Sequence, residues 1–312
     1  MHLNHQKVCI SLDSPAEVLN MNNSTRNLKM KKLLIASTAL VATAGIASAD
    51  ITISGHAAAG IHAGLDHGAS ADGTYSNAGI DFAMSGATDN GITFSASISA
   101  DAGVEIDQGD FNLDGKDLGQ MGLGAVSMAG TFGTLTFDNG GIENLYSDSL
   151  TNADVSYATT LGDVSLTVAH NAADSAVDAN SVSAGYTASG MAFTLTAAEA
   201  TGGTSAKLAV AYALNDTVSL TAKSDNPASG ETVQTIGAST TLNGVSVAIE
   251  SANNSTWDVD LGYTAGGFTF AYGTDEADAW AATASTSLGG GASFAAGINY
   301  DDEMYAGVSF AF

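Results

Sequence analysis

Apolar and polar residues alternate with a period of two along many short segments of the chain after residue 50. In the last nine residues, one face is apolar and the other is small or polar apart from Tyr305. The apolar face comprises Met304, Ala306, Val308, Phe310 and Phe312. A period of two is that of a β-strand and not of a helix. The segment Trp257–Tyr263 repeats the pattern, so the chain is predicted to be all-β.

Two kinds of connection separate the predicted strands. Tight turns rich in Gly, Asn and Asp, the residues of β-hairpins, are predicted at 88–91, 130–133, 161–163, 188–190, 214–216, 242–244, 265–267 and 288–291. Longer acidic links are predicted at 66–77, 105–117, 171–180 and 274–278. Short turns at one end and longer loops at the other are typical of a transmembrane antiparallel β-barrel. Eight turns and a joined pair of termini give 18 segments, and because a bent strand looks like two, we expect an even number from 16 to 18.

The alternation does not by itself decide which face is inside. In a soluble sandwich the apolar face would fill a shared core, whereas in a wide barrel it meets lipid and the polar face lines a wet lumen. Aromatic residues near strand ends favour the barrel, because they suit the lipid–water boundary. The predicted interface aromatics are Trp257, Tyr263, Tyr272, Trp280, Phe310 and Phe312. A soluble β-sandwich or solenoid stays as the alternative.

The first 49 residues resemble an export leader and not part of a fold. Met30-Lys31-Lys32 is a short positive region, 33–46 is apolar, and Ala47-Ser48-Ala49 is a small-residue cleavage site. We therefore predict a Sec signal peptide over 30–49 and one β-barrel domain over 50–312. The apolar run is too short for a spanning helix. Residues 1–29 are interpreted as an over-extended gene start.

Charge and cysteine content exclude several function classes. Five of the eight basic residues and two of the 33 acidic residues precede Asp50, which leaves three lysines, no arginine and 31 acids after it. Such an acidic chain is unsuited to binding nucleic acid through its phosphates. The single cysteine, Cys9, falls in the predicted leader, so no disulfide framework or thiol chemistry is expected.

Several motifs resemble the Gram-negative general porins, particularly the α-proteobacterial, Rhodobacter-type ones. They are the segment Asn139–Leu150 with Glu143-x-Leu145-Tyr146-x-Asp148, the strand–turn–strand Met128–Phe137, the start Asp50–Gly55, and the end Val308–Phe312. The resemblance implies a 16-stranded barrel, a homotrimer in the outer membrane with lipid and lipopolysaccharide around it, and passive diffusion of small hydrophilic solutes and ions. It also implies a loop near 139–153 that folds inward and narrows the channel opposite a basic cluster, but no arginine is available here for that cluster.

Parity and the resemblance together predict the channel residues. The inward loop is expected to contribute Glu143, Tyr146, Asp148 and Asp154. The lumen is expected to be lined by Asp81, Asp138, Lys207, Lys223, Glu250, Asp258 and Asp260. Carboxylates along a narrow wet path concentrate cations and repel anions, so we expect a cation-preferring channel.

No enzyme is predicted, since no nucleophile motif or catalytic set stands out and His56 and His62 are about 20 Å apart on a strand. No cofactor and no specific metal site are expected. The acidic loops around Asp275-Glu276 and Asp301-Asp302-Glu303 are candidate Ca²⁺ ligands because Ca²⁺ prefers oxygen. The alternative function is a secreted, acidic, β-rich adhesin or surface protein that binds calcium.

Overall fold

A computed structural model describes residues 49–65, 72–147, 150–172 and 180–312. The predicted leader and the segment before it lie outside these residues except for Ala49, where the first strand begins. Among the described residues, no helix has the length and the apolar character that crossing a membrane would need.

The described residues form twenty strands, all β as predicted. They are β1 Ala49–Ala63, β2 Gly73–Ala87, β3 Thr93–Val104, β4 Ile106–Asp107, β5 Asn112–Leu113, β6 Asp117–Gly130, β7 Gly133–Glu143, β8 Thr151–Leu161, β9 Val164–His170, β10 Asn180–Ala188, β11 Met191–Ala200, β12 Gly203–Ala213, β13 Val218–Asn226, β14 Val233–Leu242, β15 Val245–Ala252, β16 Trp257–Ala265, β17 Phe268–Asp275, β18 Trp280–Gly289, β19 Ala292–Asn299 and β20 Met304–Ala311.

Eighteen of the described strands form one closed sheet. Each strand pairs antiparallel with the next along the chain, and β20 pairs with β1 to close the ring. Strands β4 and β5 form a separate two-stranded hairpin between β3 and β6. The fold is therefore the predicted antiparallel barrel, and its eighteen strands match the upper end of the segment count, not the sixteen that the resemblance implies.

The two rims of the barrel differ as predicted. Tight turns join the strands at one rim, where the first and last strands also have their free ends; we call it the turn rim. At Asn243-Gly244 both central residues have positive φ, 52° and 84°, and at Gly266-Gly267 the angles are 61° and 85°. Two positive φ values in succession match the twist of a tight hairpin. The longer connections lie at the opposite rim, the loop rim.

The apolar stripe of each strand lies on the outer face. Large side chains there are well exposed, including Ile53 at 60% and Ile236 at 68%. A soluble sandwich would bury these residues, so this alternative is wrong. The buried apolar cluster lies instead inside the ring, and it consists of Leu65, Tyr75, Ile106, Phe111 and Tyr305.

Candidate functional site

The inner face of the sheet is identified by the β4–β5 hairpin. Its Phe111 packs against Tyr305 of β20, and it also lines one cavity with Ser219 of β13 and Asp260 of β16. Only the concave side of a closed ring presents strands so far apart to a single segment. Residues that share the parity of Tyr305, Ser219 and Asp260 therefore face the lumen.

Residues 144–147, which follow β7, lie against the inner wall through Tyr146. The Tyr146 hydroxyl donates to Asp225 Oδ1 at 2.5 Å, and Lys207 Nζ donates to the Tyr146 carbonyl oxygen at 3.2 Å. The same ammonium lies 5.1 Å from the centre of the Tyr146 ring and 3.7 Å from Asp225 Oδ2. One lumen lysine is therefore occupied in holding this segment to β12 and β13.

The local conformation of this segment follows from Asn144. Its side-chain oxygen accepts the backbone N–H groups of Tyr146 at 3.0 Å and of Ser147 at 3.2 Å, a turn typical of Asn. The N–H of Leu145 donates to Ser181 Oγ of β10 at 3.0 Å. Burial and the hydrogen bond to Asp225 raise the pKa of Tyr146, so the phenol stays a donor at neutral pH.

The second lumen lysine is also paired. Lys223 Nζ on β13 donates to both carboxylate oxygens of Glu250 on β15, at 3.0 and 2.9 Å. The pair reaches across the strand between them, where Gly237 leaves the space free. A Cβ on Gly237 would come within 3.1 Å of Glu250 Cγ and would overlap Thr221.

Carboxylates continue beyond Glu250 along the wall. Glu250 is directly opposite Asp258 on β16, and Asp258 is directly opposite Asp275 on β17. Asp260, two residues after Asp258, faces the lumen beside Gly273. Like charges in direct cross-strand pairs destabilise a sheet by a few tenths to about 1 kcal/mol each. Among the described lysines, Lys223 lies beside this row, at its Glu250 end.

Asp81 lies in a different part of the wall, next to His56. His56 Nε2 is 3.1 Å from Asp101 Oδ1 and its Nδ1 is 3.7 Å from Asp81 Oδ2. Gly79 lies on the strand between His56 and Asp101, and a Cβ there would overlap both side chains. The parity of Asp81 predicts that it faces the lumen, whereas its proximity to Asp101 has no signal in the sequence.

The other residues predicted for the inward loop have different positions. Asp154 accepts the N–H of Gly140 at 2.8 Å and the N–H of Ala172 at 2.6 Å, so its carboxylate ties two backbone segments together. Asp138 lies over Gly141 on β7, and Glu143 is exposed at the end of β7. Asp148 lies outside the described residues.

The predicted interface aromatics lie on the outer face and near both rims. Trp257 and Trp280 begin their strands at the loop rim, and the Trp280 ring stacks on Tyr272 with centres 6.4 Å apart. Tyr263, Phe310 and Phe312 lie near the turn rim. Further outward aromatics near tight turns were not predicted, and they include Tyr186, Tyr212 and Phe268. Their signal was an aromatic residue within two positions of a turn.

Residues 105–117 were predicted as an acidic external link, and the structure corrects this. The connection forms the β4–β5 hairpin, whose Ile106 and Phe111 are buried on the inner wall. The available signal was that Ile106, Phe111 and Leu113 are apolar in an otherwise acidic segment. Lys116, the third lysine of the described residues, follows β5 and lines a small groove with Asp101 and Asp117.

Some carboxylates of the described loops accept hydrogen bonds from groups in the same loop. Asp275 Oδ1 accepts the N–H groups of Ala277 and Ala279, and the buried Glu303 accepts from Asn299 Nδ2 at 2.6 Å. Within the described ranges, no group of three or more His, Cys, Asp or Glu side chains is arranged as a metal site.

Comparisons with known proteins agree on one architecture. A family model described as Gram-negative porin matches residues 36–310. Two solved mutants of the Rhodopseudomonas blastica porin are similar, with TM-scores of 0.51 and 0.52 at 16% identity. A structure titled for the asymmetric conductivity of engineered proteins is similar with a TM-score of 0.51 at 17% identity. Each of these three structural matches covers 84% of this chain and 100% of the other. No curated protein sequence matches the chain.

Proposed function

The chain belongs to the Gram-negative porin family and is an outer-membrane channel protein, and we propose that small hydrophilic solutes and ions cross it by passive diffusion with a preference for cations. The expected route is the lumen, between the two inward segments and the wall of β13–β18. The alternative function, a secreted adhesin that binds calcium, is not favoured, because the porin family model matches residues 36–310.

One observation carries the proposed cation preference. Two of the three described lysines are neutralised by carboxylates on the lumen face, Lys207 by Asp225 and Lys223 by Glu250, and the third, Lys116, lines a groove with Asp101 and Asp117. Asp258 and Asp260 continue along the wall in excess of these pairs. Negative charge that lines a narrow, water-filled path attracts cations and excludes anions.

The same set of charged residues argues against a strong electric field across the channel. The resemblance implies acids on an inward loop facing arginines and lysines on the wall, and the chain after Asp50 contains no arginine. Lys207 is bound to the inward segment itself. Its charge therefore does not form a separate positive wall facing the acids of that segment. We therefore propose that selectivity comes from surplus negative charge.

The proposal also includes the expected assembly, export, membrane contacts and ion binding of the protein. They are a homotrimer in contact with outer-membrane lipid and lipopolysaccharide, export by a Sec leader, aromatic residues at the membrane interface, and Ca²⁺ at the acidic loops. Chemical cross-linking of the purified protein in mild detergent tests the trimer. Trimeric species that persist on dilution support it, and a protein that stays monomeric at every concentration contradicts it.

The decisive test of function is ion selectivity in a planar lipid bilayer. Purified protein is inserted under a tenfold KCl gradient, and the reversal potential is measured at neutral pH. We expect ohmic channels whose reversal potential has the sign of K⁺ preference. A reversal potential of the opposite sign would disprove cation preference, and absence of conductance from folded protein would disprove the channel function.

A further inference from the structure

We infer that the β4–β5 hairpin, residues 105–116, sets the width of this channel and that Phe111 is the positioning residue that holds it there. The inference rests on the proposed channel function. It differs from the expectation that the loop near 139–153 alone narrows the lumen, and it concerns residues outside that loop.

The hairpin is anchored by buried apolar side chains. Phe111 is 2% exposed and Ile106 is 5% exposed, and the Phe111 ring lies 5.4 Å from the Tyr305 ring in a tilted arrangement. Leu65 and Tyr75 complete the cluster. Full burial of a Phe side chain contributes about 1.5–3 kcal/mol, so the hairpin is held at the wall more firmly than an external loop in water.

The wall under the hairpin is shaped to receive the two tyrosines. Tyr75 of β2 lies over Gly60 of β1 and Gly307 of β20, where a Cβ on either glycine would overlap the ring. Tyr305 lies over Gly297 of β19, where a Cβ would come within 2.6 Å of its ring. These three glycines let both rings lie along the wall, and the rings then form the surface on which Ile106 and Phe111 pack.

The hairpin has an internally defined shape. Asp107 Oδ1 accepts the N–H groups of Gly109 at 2.9 Å and Asp110 at 3.3 Å, and the N–H of Asp114 donates to the backbone carbonyl oxygen of Glu105 at 3.0 Å. Phe111 has a φ of 57°, a left-handed conformation that costs a residue other than glycine about 1–2 kcal/mol. Its buried ring contacts offset that cost and fix the direction of the tip.

The tip extends far into the lumen. Gln108, Gly109 and Phe111 line a cavity of about 870 Å³ with residues of β13 to β18, including Thr283. The hairpin begins on β3, and β16 lies seven strands from β3 in a ring of eighteen described strands, close to the opposite side. The space between this tip and the β13–β18 wall is therefore part of the route that the proposed channel offers to solutes.

The segment after β7 reaches a different part of the wall. Its Tyr146 is bound to Asp225 on β13 and to Lys207 on β12, so the segment crosses the lumen to these two strands. The hairpin tip lines a cavity with the wall from β13 to β18. We therefore assign the narrowing beside that wall to the hairpin.

Two variants test the inference by conductance and by solute size. In Phe111→Ser the anchor is lost, and in the second variant residues 106–113 are replaced by two glycines. We expect single-channel conductance to rise roughly twofold or more in both, because the path widens. Larger neutral sugars should also enter liposomes that carry either variant. Phe268→Ser is the matched control, since it removes an exposed outward ring from the same barrel, and its conductance should equal that of the parent protein.

A chemical test does not depend on disrupting the hairpin. In a Cys9→Ser background, Asp110→Cys places a single thiol at the exposed hairpin tip, and Asp163→Cys places one at an exposed tight turn on the turn rim. A bulky thiol reagent should reduce the current through the Asp110→Cys channel by at least about half and leave the Asp163→Cys channel unchanged.

The outcomes separate the two proposals. Unchanged conductance in the excision variant, together with no block at Asp110→Cys, would overturn the role of the hairpin while leaving the channel function intact. If the parent protein inserts and does not conduct, the channel function fails first. Heat-modifiable mobility on electrophoresis confirms that each variant is folded before its conductance is interpreted.

Discussion

The ring of Phe312 lies against Gly55, and the two residues exchange both of their backbone hydrogen bonds. The N–H of Gly55 donates to the Phe312 oxygen at 2.6 Å, and the N–H of Phe312 donates to the Gly55 oxygen at 2.9 Å. A Cβ on Gly55 would overlap the Phe312 ring. Gly55 of the first strand therefore leaves room for the Phe312 ring at the point where the ring of strands closes.

The first prediction concerns this closure. Gly55→Val should displace the Phe312 ring and destabilise the barrel by about 1–3 kcal/mol, the usual cost of overpacking. The measurement is the temperature at which the folded, fast-migrating form converts to the unfolded form on electrophoresis. We expect a clear decrease.

Ala59→Val is the matched control for this prediction. Ala59 lies on the same outward face of β1 and is exposed, so added methyl groups there meet no ring. Equal decreases in the two variants would show that the effect comes from the strand in general, not from the contact between residues 55 and 312.

The barrel itself was predictable because its signals are local. Alternation of period two specifies which face of each strand is apolar, and turn residues such as Asn243-Gly244 adopt the positive φ values that tight hairpins need. All eight predicted turns join consecutive strands of the sheet. The strand count of sixteen is implied by the family resemblance. The count of eighteen follows from the eight tight turns and the joined termini.

The site was predictable only where parity decides it. Lys207, Lys223, Glu250 and Asp258 face the lumen because parity places them there, but their pairing depends on register between strands that sequence does not give. The hairpin was not predicted because Phe111 packs against Tyr305, in a cluster that also includes Tyr75, and both tyrosines are distant from it in the chain. Tyr305 was the available signal, since it is a large ring on an otherwise small or polar face.

The second prediction concerns the lysine of the acidic row. Lys223→Met removes the cation that binds both oxygens of Glu250 and leaves that carboxylate unneutralised in the lumen. We expect the reversal potential under a KCl gradient to shift toward stronger cation preference.

Asn90→Asp provides the comparison, because it also makes the net charge more negative by one, at an exposed tight turn on the turn rim. Its shift should be smaller than that of Lys223→Met. A shift toward anions in Lys223→Met would contradict the proposed role of the row.

The third prediction concerns Asp258 and Asp260. The double change Asp258→Asn and Asp260→Asn removes two lumen carboxylates and relieves the like-charge pairs with Glu250 and Asp275. Cation preference should fall, and thermal stability should rise slightly because each pair costs up to about 1 kcal/mol. Asp163→Asn, at a turn outside the lumen, should change neither quantity. Unchanged selectivity in the double variant would place the filter elsewhere.

The last prediction concerns pH and Tyr146. Burial and the hydrogen bond to Asp225 raise the pKa of Tyr146 above its ordinary value, so folding favours the neutral phenol. The stabilisation is fully present below the ordinary tyrosine value of about 10 and is lost as the pH rises through the raised value. The difference in absorbance at about 295 nm between the protein and its Tyr146→Phe variant should therefore titrate at higher pH than free tyrosine. Titration at or below the range of free tyrosine would show that the phenol does not hold the segment to Asp225.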